Sequence, residues 1–278
     1  MTNRTGITNH HTMKKLFLLT YLIPFFAAAQ EEVWDTYMAA YEKGPGSVIL
    51  NMSIKAVAPI AKYPFVIVTG VTFKKCTQDG LPMDKSFDTL YRISDAIMKF
   101  VQNKTEFRHV GSFTYQCERL DYIYVKDTTG LRQGLQKVYE TQLPGYAAYL
   151  NIKDDHTWKY YLEFLYPNEL TLEFMRNQKV LMELQKAGDN FEKERLIDHV
   201  AYFRTEQDRE CFIQFVISKN YKITVKEKTD QPENPFRVGF SRIDKLTLYP
   251  LSELTLELNR QAKLCKGDYD GWETVVVR

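Results

Sequence analysis

Beyond its first thirty residues the chain has no apolar run long enough to span a bilayer, and it has no glycine-rich phosphate loop, no Cys-x-x-Cys pair and no excess of either charge. Each absence removes a class of function. No Gly-x-Gly-x-x-Gly and no Gly-x-x-x-x-Gly-Lys occurs, so the common nucleotide cradles are excluded. Five histidines are scattered and four cysteines stand apart, without the spacing that zinc sites and redox motifs need. No metal and no cofactor is expected. Lys and Arg total 37 against 35 Asp and Glu, interspersed as on a solvated surface rather than gathered in a stripe, so direct nucleic-acid binding is not expected.

Residues 1–30 have the form of a secretory leader with an upstream extension: Lys14-Lys15, the apolar run Leu16 to Phe26, then Ala27-Ala28-Ala29. Met13 is the expected start of translation and Ala29-Gln30 the expected cleavage region. The run is about half the ~20 residues a bilayer span requires, so no stable membrane insertion is expected after cleavage. No cysteine follows it, which removes support for a lipid anchor. Losing Arg4, Lys14 and Lys15 leaves 34 basic residues and a net charge of −1. The expected product is an exported bacterial protein, periplasmic or secreted. Cys76, Cys117, Cys211 and Cys265, an even number in an oxidising compartment, are candidates for disulfides.

The remainder divides at Tyr166-Pro167-Asn168 into segments 31–166 and 167–278, each with enough apolar residues for its own core. In the first, Val33–Tyr41 and Ser47–Ile54 read as a hairpin around the turn Lys43-Gly44-Pro45-Gly46. A strand over 65–73 follows. A helix over 84–101 comes next, with Asp84 as its cap and Phe87, Leu90, Ile93, Ile97 and Phe100 on one face. Strands near 107–115 and 118–125, a helix over 131–141, and strands near 146–152 and 158–165 complete the segment. The second segment reads as a helix from Asn168 to Lys186, then strand 195–204, helix 205–218, strands 221–228 and 236–243, helix 251–264 and strand 272–277. Both follow the split βαβ order. The predicted fold is therefore α+β, two consecutive ferredoxin-like sandwiches, the first with an added N-terminal hairpin and an extra C-terminal strand.

Gly188-Asp189, the run Arg195 to Phe203 and the run Gly267-Asp268-Tyr269-Asp270-Gly271-Trp272-Glu273 give segment 167–278 its character. On these residues it resembles the regulators of ribonuclease E activity, type B. Trp34, the segment around Pro64, the turn Asp79-Gly80-Leu81-Pro82 and the ending Tyr146 to Leu165 make segment 31–166 similar to the domain-of-unknown-function family 695. The first resemblance implies a ferredoxin-like domain that binds protein rather than one that catalyses a reaction. The leader implies a partner other than cytoplasmic ribonuclease.

In a split βαβ sandwich of strand order 4-1-3-2 the last strand runs antiparallel beside the first, which brings Asp270, Trp272 and Glu273 near Tyr202, Phe203 and Arg204. The expected binding surface is Asp198 or His199 with Tyr202, Asp270, Trp272 and Glu273. The competing reading makes His199 and Asp198 local hydrogen-bonding groups, Asp270-Gly271 a strand-entry turn and Trp272 a packing residue. No catalytic residue is assigned. The same fold places Cys76 and Cys117 at one end of neighbouring strands and favours a disulfide between them. Cys211, inside one helix, and Cys265, at the end of another, are a poorer pair. The function expected is non-catalytic binding of an unidentified protein. Two alternatives stay open: inhibition of cytoplasmic ribonuclease E if the leader is misread, and a small-ligand-binding or hydrolytic enzyme with an interdomain pocket.

Overall fold

The computed structural model describes residues 32–278; the leader lies outside them. Strands β1 (Trp34–Tyr41) and β2 (Gly44–Asn51) form the hairpin, followed by β3 (Phe65–Thr72), α1 (Asp84–Gln102), β4 (Phe107–Tyr115), β5 (Glu118–Val125), α2 (Leu131–Gln142) and β6 (Ala147–Asp154). Helix α3 (Glu169–Lys186) leads to β7 (Arg195–Phe203), α4 (Glu206–Ser218), β8 (Lys222–Lys228), β9 (Phe236–Asp244), α5 (Leu248–Leu264) and β10 (Gly267–Glu273). The fold is α+β with two antiparallel sheets, ordered β1-β2-β4-β5-β3-β6 and β10-β7-β9-β8.

The first sheet is buried on both faces. Ile67, Ile123 and Val125 meet Leu90, Ile93, Ile97, Leu131 and Leu135 of α1 and α2 on one side. Val48, Leu50, Val66, Val68, Tyr122 and Tyr124 face the other. That second face is closed by residues expected to form a further strand, and here the expectation is corrected. Trp158 to Leu165 is a helical turn, with Tyr160–Leu165 π-helical. The Asp155 carboxylate accepts from the Lys159 and Tyr160 N–H groups and from the Tyr124 hydroxyl, which winds the chain at that point. Trp158, Tyr161 and Leu165, all fully buried, are three and four residues apart, the period of a helix rather than a strand. Trp158 stacks on Tyr124 with ring centroids 3.9 Å apart.

Other boundaries shift for local reasons. The hairpin turns at Glu42-Lys43, with Tyr41 paired to Gly44, so Pro45 and Gly46 lie within β2 instead of the loop. Pro45 is tolerated because it pairs only Ala40 of the sheet's edge strand. Met83 holds the cap position of α1, and Asp84 is its first helical residue, where a carboxylate meets the positive end of the helix. Asn168 caps α3 by accepting from the Thr171 N–H at 2.9 Å.

Cys76 and Cys117 are joined, Cα atoms 5.7 Å apart, where the end of β3 pairs with the start of β5. Cys211 and Cys265 are joined too, Cα atoms 5.8 Å apart. Depth within a helix misjudges this pair. Because β7 and β9 are antiparallel neighbours, the helices that follow them run antiparallel, and the first turns of α4 lie beside the last turn of α5.

Among the described residues the second sheet is covered on one face only, by α4 and α5: Ile197, His199, Ala201, Phe203, Val238 and Phe240 are buried there, most of them against Phe212, Ile213, Val216, Leu258 and Ala262. Helix α3 packs beside α5 near the β10 edge. On the opposite face Leu196 and Ile243, cross-strand partners, are 50% and 62% exposed.

Candidate functional site

The run Gly267 to Glu273 is not a corner before a strand. It is the strand, and Thr274 to Val277 continue beyond it without regular structure. A β-branched tail reads as strand by propensity, yet its fixing comes from elsewhere. The Val277 N–H donates to the Asp189 carboxylate at 2.9 Å, and the Asn190 N–H donates to the Val277 carbonyl at 2.7 Å. Gly267 starts β10 because a side chain there would collide with the Phe203 ring and the Tyr202 carbonyl. Asp270 is the extra residue of a bulge between Tyr269 and Gly271, and Gly271 adopts φ +140°, a conformation that side chains resist.

The bulge sets the register. Gly267 pairs with Phe203 and Asp268 with Tyr202, whereas Trp272 pairs with His199 and Glu273 with Asp198. The expected neighbours are thus corrected: it is Gly267 and Asp268, not Trp272 and Glu273, that flank Tyr202 and Phe203. The expected strand began at Trp272, whereas β10 begins at Gly267, so it is the start of the motif that meets the end of β7.

A groove of about 810 Å³ runs along β10, the edge strand of its sheet. Asp268 to Glu273 form its floor, Asp198, Val200 and Tyr202 of β7 and Arg237 of β9 one wall, and Glu173, Asn177 and Val180 of α3 with Asn259 of α5 the other. Of the six predicted surface residues, Asp198, Tyr202, Asp270, Trp272 and Glu273 come together here. His199 does not. It lies on the helix-covered face, 1% exposed, stacked on Phe240 with Nδ1 2.8 Å from the Tyr269 hydroxyl. Burial, reinforced by the positive charge of Arg242, pushes its pKa down to about 3, so it is a neutral core side chain.

Trp272 ties the groove to the helices. Its indole N–H donates to Asn177 Oδ1 at 2.8 Å, and Asn177 Nδ2 donates to Thr255 Oγ1 at 2.9 Å and to Ser252 Oγ at 3.2 Å. The buried Glu173 carboxylate accepts from Arg176 at 2.8 Å and from Asn259 at 3.1 Å. Sequence reading missed Glu173, Asn177 and Asn259. The available signal was a polar pair four residues apart on α3, at 173 and 177, placed within its buried stripe.

Electrostatically the groove is unevenly matched. Arg176 is held by Glu173 and Arg237 by Glu227, while Asp198, Asp270 and Glu273 have no cationic side chain within 4.0 Å among the described residues. Among those residues no three His, Cys, Asp or Glu groups are placed to hold a metal ion, and no helix is long and apolar enough to cross a membrane.

No curated protein matches the chain. Among solved structures, an unknown protein from Galdieria sulphuraria is similar at 13% identity, covering 77% of this chain and 99% of that one with a TM-score of 0.21. Residues 175–274, which contain the groove's strands and most of α3, match the family described as Regulator of ribonuclease activity B. Residues 32–166 match the Family of unknown function (DUF695), so the two segments are similar to different families.

Proposed function

We propose that this is an exported, non-catalytic protein that binds another protein through the groove along β10 and the bare sheet face beside it. In this reading the chain folds as two ferredoxin-like domains, 31–166 and 167–278. The observation that carries it is that the segment matching a regulator family leaves one sheet face uncovered and opens a groove beside it. The equivalent face of the first sheet is filled by Trp158, Tyr161 and Leu165. A bare face with exposed Leu196 and Ile243 is the kind of surface that marks association. Removal of His199 from the groove into the core deprives it of the side chain best suited to acid-base work, which supports binding over catalysis.

Export is supported by the leader and by two disulfides, bonds that persist in oxidising compartments. The regulator-family match favours a second reading, in which an uncut chain meets cytoplasmic ribonuclease E. Cell fractionation with N-terminal sequencing separates the two: an extracytoplasmic product beginning near Gln30 excludes the second, and an intact cytoplasmic chain excludes export. For the binding surface, a photo-crosslinking amino acid at Leu196 or Val180 in the producing cell is expected to give discrete protein adducts. The same group at Ile217, exposed on α4, is expected to give none. Equal labelling from both positions, or none from Leu196 and Val180, would reject the surface.

A further inference from the structure

The groove's chemistry constrains what can sit in it. We infer that its occupant is an extended basic segment of the partner protein, one that alternates Lys or Arg with aliphatic residues; this rests on the binding function proposed above. Asp198, Asp268, Asp270 and Glu273 follow β7 and β10 along the groove. Asp268 accepts from Asn234 at 2.6 Å, a neutral partner, and the other three carboxylates lack a cation among the described residues. Of the bases lining the groove, Arg176 and Arg237 are already engaged, which leaves Lys263 against four carboxylates.

Three other occupants are disfavoured by the same charges. A second copy docking through the same face would set these carboxylates against themselves, since an isologous interface pairs each patch with its own image. Nucleic acid and anionic membrane surfaces present phosphate to carboxylate. A basic segment instead gains complementary charge at every second position from Asp198, Asp268 and Glu273, which share the uncovered face, and the intervening aliphatic side chains turn to the α3 side, where Val180 and Trp272 line the groove. Alternation at period two matches an extended chain. β10, as an edge strand lining the groove, offers main-chain groups to such a chain by strand addition.

The test is a titration of the full chain with two labelled peptides of equal length, one alternating lysine with isoleucine and one alternating glutamate with isoleucine, read by fluorescence anisotropy. The lysine peptide is expected to bind, and to weaken by about tenfold in the variant combining Asp198→Asn, Asp270→Asn and Glu273→Gln. It is also expected to weaken as salt rises from about 50 to 500 mM. Glu206→Gln on α4 is expected to leave binding unchanged. If circular dichroism shows the triple variant unfolded, Asp270→Asn alone, in the exposed bulge, is measured with a smaller loss expected. Equal binding of both peptides, binding of neither, or full affinity in the folded variants overturns the inference. So does dimerisation in sedimentation that Leu196→Lys abolishes. Failure of the binding function itself is read separately: crosslinks at Leu196 to a segment without basic residues defeat only the charge assignment, whereas absence of crosslinks defeats both.

Discussion

Replacing Asp189 with alanine is expected to destabilise the half built on β7 to β10 more than any surface change. Asp189 follows Gly188, whose φ of +81° ends α3, and its carboxylate accepts from Arg195 Nη1 at 2.5 Å and from the Val277 N–H at 2.9 Å. Both side chains are almost wholly buried, 0% and 3% exposed. Arg195 Nη2 also donates to the Asn190 carbonyl at 2.6 Å. Removing the carboxylate leaves a buried guanidinium without its counterion, a loss of about 3–5 kcal/mol, against ~5–15 kcal/mol for a typical domain. Urea unfolding followed by circular dichroism and tryptophan fluorescence, with disulfides intact, measures it. The combined change Asp189→Leu with Arg195→Met is expected to recover most of the loss, because no isolated charge then remains. The Val277 amide is expected to lose hydrogen-exchange protection in the single variant. Burial pushes the Asp189 carboxyl up, but Arg195 and the Val277 N–H outweigh it and hold it below the ordinary carboxylate range. Its folded pKa is thus depressed, so its contribution is present above about pH 4 and disappears as pH falls through the folded value. A loss below ~1 kcal/mol for Asp189→Ala would refute this account of a buried, interdependent pair.

Further consequences concern the two cores and the groove. The depressed pKa of His199 means the unfolded chain binds a proton that the folded chain refuses, so stability falls by ~1.4 kcal/mol per unit as pH drops from about 6 to 4. His199→Phe is expected to flatten that slope in urea titrations at several pH values, although orphaning the Tyr269 hydroxyl costs about 1–3 kcal/mol at neutral pH. Trp272→Phe removes the indole donor from Asn177 and is expected to cost ~1–3 kcal/mol, measured by denaturant midpoint. Trp158→Ala empties a fully buried site stacked on Tyr124, with an expected loss of about 3–5 kcal/mol in the same assay. Replacing either cysteine pair with serines opens a link spanning 41 or 54 residues and is expected to cost about 4 kcal/mol on the chain-entropy relation, read as a fall in melting temperature.

By itself the sequence determined most of the element order, because hydrophobic period is local. The apolar face of α1, the continuous apolar run of β3 and the Asn168 cap are all visible in a short window. It failed where a local preference competed with a long-range contact. Aromatic β-propensity pointed to a strand at 158–165, but Asp155 and Tyr124 made a helical turn there. The β-branched tail after Glu273 likewise pointed to a strand, but the Asp189 carboxylate holds it instead. Five of the six predicted surface residues line the groove, but the partners of Trp272 and Glu273 were not legible, because β10 begins at Gly267 rather than at Trp272. The tertiary structure alone decided three matters. A bulge at Asp270 fixed which residues of β7 face Trp272 and Glu273. The antiparallel run of α4 and α5 brought Cys211 to Cys265. Packing of α3 beside α5 added Glu173 and Asn177 to a site whose other wall lies in β7. Each depends on contacts between residues far apart in the chain, where one strand's shift or one helix's direction cannot be read from its own neighbours.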